Sequence, residues 1–233
     1  RRNVTAAAAS SQKHLGTGDS DVWLLTLPLH HVGGLAILWR AAHDGSEVLL
    51  HDSFDPAVVA RSLQSKATWA SLVPTMLVRL LEVAAGPWPG LRGVLIGGAA
   101  AGDELIAMAN TAGLPALATY GMTETTAQVC TVRPGNPEVA SGTVGHPLPG
   151  VEVTIDAAVG TPGVIHVAGP TVSPGYVGEA ARSGPLITND VGYFDGAGRL
   201  VVLGRNDEVI MTGGEKVHPV RVERALTAVE GVT

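Results

Sequence analysis

The sequence predicts an α/β fold, a mostly parallel sheet covered by helices, on three observations. Apolar runs short enough for strands alternate with segments of helical spacing over the first 130 residues. Helical segments open on proline, as at Pro74, or on an acid followed by proline, as at Asp55-Pro56. Hydrophobic residues make up 45% of the 233 and charged ones 15%, with 30 glycines and 15 prolines between them, which suits a chain with a sizeable core and many turns.

Residues 4–15 read as an alanine-rich helix and 22–27 as a buried strand that ends at Pro28. Leu29-His30-His31-Val32-Gly33-Gly34 follows, then helical spacing over 35–43 and a strand over 46–51, so the pattern is βαβ. Asp55 at a cap position and Pro56 in the first turn start a helix that runs to about 65. A strand over 69–73, a helix from Pro74 to about 84 and a strand over 91–96 come next. Gly97-Gly98-Ala99-Ala100 ends that strand before a helix over 103–111. Residues 115–120 form a further buried strand, and Gly121 is expected to bring the backbone out at a sheet edge, where open α/β sheets bind ligands.

Beyond Cys130 the texture changes. Residues 151–155, 163–168 and 200–204 read as short strands separated by turn signals, with no helix before about 220. The chain is therefore expected to comprise an α/β part over 1–130, a β-rich subdomain over 131–204, and a hinge with the start of a small α+β domain over 205–233, including a helix over 219–229. Arg1 is no initiator methionine and Thr233 closely follows that helix, so a segment of a longer protein is expected.

A net charge of −6 with no long basic run gives nucleic acid or an anionic membrane no electrostatic footprint, which leaves small molecules as partners. The most apolar stretch, 22–39, is interrupted by Pro28, His30, His31 and two glycines, so no membrane span is expected. A single cysteine, Cys130, excludes an internal disulfide, and no Cys/His group has zinc-site spacing; both favour a reducing, cytoplasmic setting. A homo-oligomer remains open.

The stretch most suited to chemistry is Thr119-Tyr120-Gly121-Met122-Thr123-Glu124-Thr125. Hydroxyls beside one carboxylate suit a phosphate and its divalent metal, since the acid is a hard oxygen ligand and the hydroxyls donate to phosphoryl oxygens. The same residues equally describe a capped turn with Glu124 in solvent.

Four separated motifs, taken together, carry a resemblance. Pro28-Leu29-His30-His31-Val32-Gly33-Gly34, Tyr120-Gly121-Met122-Thr123-Glu124, Thr188-Asn189-Asp190, and Gly204-Arg205-Asn206-Asp207 with Gly213-Gly214-Glu215-Lys216 resemble, in order and spacing, the core motifs of the adenylate-forming acyl-CoA synthetase superfamily. Within it, residues 119–128 and the segment from His31 to Arg40 look most like the branch that activates o-succinylbenzoate. The resemblance implies ATP, Mg²⁺ and coenzyme A as ligands, and two half-reactions. A carboxylate is joined to AMP with release of pyrophosphate, and a thiol then displaces AMP. Loading of a carrier-protein arm, or a catalytically silent nucleotide- or acyl-binding relative, are the alternatives.

By the family pattern Glu124 would hold Mg²⁺, Thr123 would contact phosphate, and Gly98, Ala99 and Tyr120, with Gly121 and Met122 adjoining, would enclose the adenine. Asp190 and Arg205 would hold the ribose hydroxyls, although Asn189 stands where the family usually has glycine and Asp190 alone reads as a turn residue. His31 would border the acyl pocket, or else is an ordinary strand-end histidine; His30 reads as packing. Gln128 and Arg40 are expected on the acyl side. Arg40 follows Leu35, Ala36, Ile37, Leu38 and Trp39, so its guanidinium either snorkels to solvent or meets a buried anion such as the spectator carboxylate. Asp207 is expected as the hinge. The family's glycine-rich phosphate loop would precede Arg1 and its adenylation lysine would lie beyond Thr233.

Overall fold

The structure, a computed structural model, describes residues 1–135, 142–212, 215–217, 219, 222, 225 and 226. Gly213-Gly214 and most of the expected helix over 219–229 lie outside them. In chain order come α1 (Arg2–Leu15), β1 (Val22–Leu25), α2 (Val32–Asp44), β2 (Glu47–Leu50), α3 (Pro56–Ser65), β3 (Trp69–Leu72), α4 (Pro74–Val83), β4 (Gly93–Ile96), α5 (Asp103–Thr111) and β5 (Ala116–Met122). Then follow β6 (Ala127–Thr131), β7 (His146–Pro147), β8 (Glu152–Ile155), β9 (Gly163–Ala168), β10 (Leu186–Phe194), β11 (Leu200–Arg205), β12 (Ile210–Thr212) and β13 (Glu215–Val217).

One seven-stranded sheet has the order β2-β1-β3-β4-β5-β6-β7. The strands β1 to β5 pair in parallel, and β6 and β7 add antiparallel. Strand alternation sends neighbours to opposite faces. Leu24, Leu72, Val94 and Ile96 pack with Leu63, Leu77, Leu80 and Ile106 of α3, α4 and α5. Trp23, Leu25, Trp69 and Leu95 meet Leu15 of α1 and Ile37 of α2. With both faces covered, β3 and β4 are buried at every position, which is why they read as unbroken apolar runs. The cap expected at Asp55 forms, its carboxylate accepting from Val58 N at 2.9 Å with Pro56 in the first turn.

A second, antiparallel sheet has the order β11-β10-β9-β8 and covers 152–205. Its inner residues Ile165, Val167 and Leu200 share a core with Val129 and Cys130 of β6, and Thr143 bridges to Val201. The two sheets are thereby joined along β6.

One strand end differs from expectation: β5 does not stop at Tyr120 but runs on to Met122, past its last pairing with β4 at Ala118, so that Gly121, paired to Gln128 of β6, stands where the parallel sheet ends. The glycine serves close approach, because a Cβ there would lie 1.6 Å from Ala127 O. Asp190 sits within strand β10, with no turn around it. Polar residues hid that strand, since Thr188 turns inward to Ile165 O at 2.8 Å and Asn189 and Asp190 carry no apolar alternation.

Candidate active site

The parallel arrangement brings the ends of β1, β3, β4 and β5 to one edge of the sheet. There a cavity of about 490 Å³ lies between the β4–α5 connection, the end of β5, and β10 and β11. Gly98, Ala99, Tyr120, Gly121, Met122, Asp190 and Arg205 all line it. Thr123, Glu124, His31, Arg40, Gln128 and Asp207 do not.

Pairing, more than sequence proximity, assembles this wall. Asp190 on β10 is the register partner of Arg205 on β11. The Tyr120 phenol reaches from the other sheet and donates to Asp190 Oδ2 at 2.6 Å. Burial, and then the bond to the Asp190 carboxylate, push the Tyr120 pKa far above that of an ordinary phenol, so it remains a proton donor at neutral pH. Thr188 Oγ1 accepts from Asp190 N at 3.0 Å and fixes the aspartate's backbone. Oδ2 thus has a fixed protein donor, while a carboxylate retains further acceptor sites for a ligand's hydroxyls. Arg205, also in the lining, gives Nε and Nη2 to Asp207 at 3.0 and 3.1 Å. That pairing raises the Arg205 pKa and lowers that of Asp207.

Thr123, Glu124 and Thr125 form a single 3-10 turn after β5. Thr123 is exposed, and Glu124 is half-buried, with its carboxylate accepting from the Tyr176 hydroxyl. Among the described residues no three His, Cys, Asp or Glu side chains group as a metal cluster. A single carboxylate nevertheless suits Mg²⁺ when substrate phosphates supply the other oxygens, so Glu124 fits such an ion as a lone protein ligand.

On the far side of the parallel sheet, Arg40 on α2 is 5% exposed, which excludes the snorkelling arrangement. Its guanidinium lies 5.0 Å from the Trp23 ring centroid, donates from Nε to Ser11 Oγ at 2.9 Å, and from Nη2 to Gln128 Oε1 at 2.8 Å. Ser11 Oγ also donates to Gln128 Oε1 at 2.7 Å, and Gln128 Nε2 donates to Thr131 Oγ1 at 2.8 Å. Among the described residues no carboxylate is hydrogen-bonded to the cation; burial lowers its pKa to about 10, against the opposing charge of Asp44, which still leaves it charged at neutral pH. Nη1 is buried without a hydrogen-bond partner among the described residues. A cavity of about 10 Å³, on the scale of one water molecule, adjoins it between Ala7, Ala8, Ala36, Trp39, Thr126 and Gln128.

His31 caps α2 through its backbone, and its ring is exposed against that of His30 at 4.4 Å between centroids. Gly34 in the same motif lets α2 press on the preceding strand end, since a Cβ there would lie 2.5 Å from Pro28 O. Sequence reasoning missed Ser11 and Tyr176. Each stands far along the chain from the residue it serves, 117 and 52 positions in the case of their bonds to Gln128 and Glu124, and no local pattern marks them.

The profile of the AMP-binding enzyme family matches residues 1–177, and the chain belongs to that family. Among the most similar curated relatives are the 2-succinylbenzoate–CoA ligases of Bacillus mycoides, 38% identical over 96% of this chain and 50% of the relative, and of Enterococcus faecalis, 33% identical over 99% and 50%. The structure resembles the o-succinylbenzoate coenzyme A synthetase of Bacillus subtilis in complex with the acyl-adenylate intermediate, with a TM-score of 0.91 and 34% identity over 97% of this chain and 49% of that one. ATP-bound MatB from Rhodopseudomonas palustris also superposes with a TM-score of 0.91, at 27% identity over 100% and 49%. The fold is that of the adenylate-forming enzymes. The chain spans about half the length of the curated relatives it matches.

Proposed function

We propose that the protein to which this chain belongs activates o-succinylbenzoate with ATP as an acyl-adenylate and transfers the acyl group to coenzyme A. The observation that favours this acid over others is the buried, partly satisfied Arg40 cation with no carboxylate hydrogen-bonded to it among the described residues. Overall shape cannot choose a substrate here, because two differently named neighbours superpose equally well. A dicarboxylate needs one acid group held while the other reacts, and a guanidinium fixed by Ser11 and Gln128 is a rigid donor for it, directly or through one water.

At the nucleotide end, Asp190 with Oδ2 satisfied by Tyr120 accepts from the vicinal ribose hydroxyls, and Arg205 approaches the same sugar from the neighbouring strand. The Gly98-Ala99 backbone and Tyr120 form the walls for the base. Thr123 contacts phosphate. Glu124 is the residue that would hold Mg²⁺, which when bound offsets charge developing on the phosphates. His31 and Gln128 flank the acyl side, Gln128 chiefly by holding Arg40. Asp207, bonded to Arg205 at an exposed strand end, is the hinge to a C-terminal domain that begins near residue 205 and follows the β-rich subdomain over 131–204. The protein is read as cytoplasmic with small-molecule substrates, its assembly into homo-oligomers open; no helix among the described residues is long and apolar enough to cross a membrane.

The test is pyrophosphate release by the full-length enzyme supplied with o-succinylbenzoate, with benzoate and with aliphatic monocarboxylates. Release that depends on the dicarboxylate supports the assignment. Equal or better release with a monocarboxylate overturns it.

A further inference from the structure

The turn that carries Glu124 is held from within by the buried Thr125 hydroxyl, which accepts from Met122 N at 3.1 Å and lies 3.0 and 3.2 Å from Met122 O and Ala127 O. Thr126 and Ala127, directly after it, have φ of 58° and 87°, left-handed values that cost a β-branched residue and an alanine energy and persist only where the surroundings impose them. Beyond its own bonds, the turn is held by the segment 170–176. Thr126 Oγ1 donates to Thr171 O at 2.7 Å, Ser173 N donates to Glu124 O at 2.7 Å, and the Tyr176 hydroxyl donates to Glu124 Oε1. The segment is itself pinned from behind, since Asn3 Nδ2 on α1 donates to Pro170 O at 2.8 Å and Val172 O at 2.7 Å. It also closes on itself, with Gly175 N donating to Ser173 Oγ at 3.3 Å and Arg182 N donating to Pro174 O at 2.5 Å.

We propose that Tyr176 is a positioning residue for the Glu124 carboxylate: the strap over 170–176 fixes the turn's backbone, and the phenol aims the acid by holding one of its two oxygens. A carboxylate offers several lone-pair sites, so one donor at Oε1 orients the group and leaves acceptor capacity for a hard cation. Tyr176 is 59% exposed and reaches the turn's acid through its hydroxyl, so Tyr176→Phe removes the aiming contact and little packing. This inference rests on the reading of Glu124 as the ligand of the nucleotide's metal.

The test uses the full-length enzyme with Mn²⁺ as the spectroscopic stand-in for Mg²⁺. Binding of Mn²⁺·ATP without acid substrate is followed by electron paramagnetic resonance in wild type, Tyr176→Phe, Glu124→Gln, and the exposed neighbour Val177→Ala as a control. Tyr176→Phe should weaken Mn²⁺·ATP by roughly threefold to tenfold, the scale of one ordinary hydrogen bond lost from a residue that acts through another, while ATP without metal binds as in wild type and Val177→Ala changes nothing. Unchanged or tighter Mn²⁺·ATP binding in Tyr176→Phe, with Glu124→Gln impaired, overturns the positioning role and leaves the metal reading intact; tighter binding would mean that the phenol masks the acid. Unimpaired binding in Glu124→Gln overturns the metal reading itself, and the inference with it.

Discussion

Arg40 and Arg205 are both assigned to ligand binding, and their surroundings are opposites. Arg205 is exposed at the mouth of the large cavity, its charge shared with Asp207, and the wall around it is drawn from the β4–α5 connection and strands β5, β10 and β11. Arg40 is enclosed by α1, α2 and β6, beside a space about the size of one water, with serine and glutamine bonded to it and no carboxylate hydrogen-bonded to it among the described residues. An open site with flexible charges tolerates many partners and is refined by what enters it. A buried cation bonded only to neutral groups, with the nearest acid acting from a turn away at Asp44, has lost hydration and offers a donor to an anion. The first arrangement suits a nucleotide common to a whole family, the second a single distinguishing group on an acid.

The largest loss is expected at Glu124, which serves neither region alone. Glu124→Gln in the full-length enzyme should leave the thermal midpoint near wild type and lower pyrophosphate release by roughly 10²–10³-fold, the scale of losing one fixed contact to a developing charge. Near-normal release at saturating Mg²⁺ would remove Glu124 from the metal site.

Asp190→Ala sharpens the open region. It should raise KM for ATP by about 1.5–3 kcal/mol, roughly 10- to 150-fold, and leave KM for the acid unchanged, because it removes the acceptor that Tyr120 prepares. Steady-state kinetics with each substrate varied in turn decides this. Asp207→Pro, at the exposed partner of Arg205, fixes φ near −65° and should slow one half-reaction while sparing the other, measured as adenylate formation against thioester formation. Equal losses in both, or none, argue against a hinge there.

The smallest effect belongs to the closed region. His14 on α1 is buried with Nε2 donating to Thr131 O at 2.9 Å, and burial lowers its pKa below the ordinary 6.5. The unfolded chain therefore binds more protons than the folded one just below that value, so His14's share of stability is present above about pH 6.5 and is lost as pH falls through it. Thermal melts between pH 7.5 and 5.5 should show an acid decline that is shallower in His14→Gln.

How much of this was legible follows the same division. The open region was readable because its residues lie in contiguous motifs, Tyr120 to Glu124 and Gly204 to Asp207, and because caps such as Asp55-Pro56 and fully apolar strands such as β3 and β4 mark the scaffold locally. Even there the strand β10 was hidden, since the polar Thr188, Asn189 and Asp190 break alternation. In the closed region the sequence left Arg40 between solvent and interior, because helical position alone does not say what lies opposite. Ser11 comes from α1 and Gln128 from β6, and only tertiary packing brings them to the guanidinium.

Whether Arg40 reads the acid while the open cavity reads the nucleotide is decided by the two KM values of Arg40→Ala, with Arg40→Lys beside it. KM for o-succinylbenzoate should rise by about 1.5–3 kcal/mol, roughly 10- to 150-fold, with KM for ATP unchanged, and lysine should rescue only in part because it lacks the planar fork. An Arg40→Ala enzyme with unchanged KM for o-succinylbenzoate, or with both constants raised alike, would contradict the account.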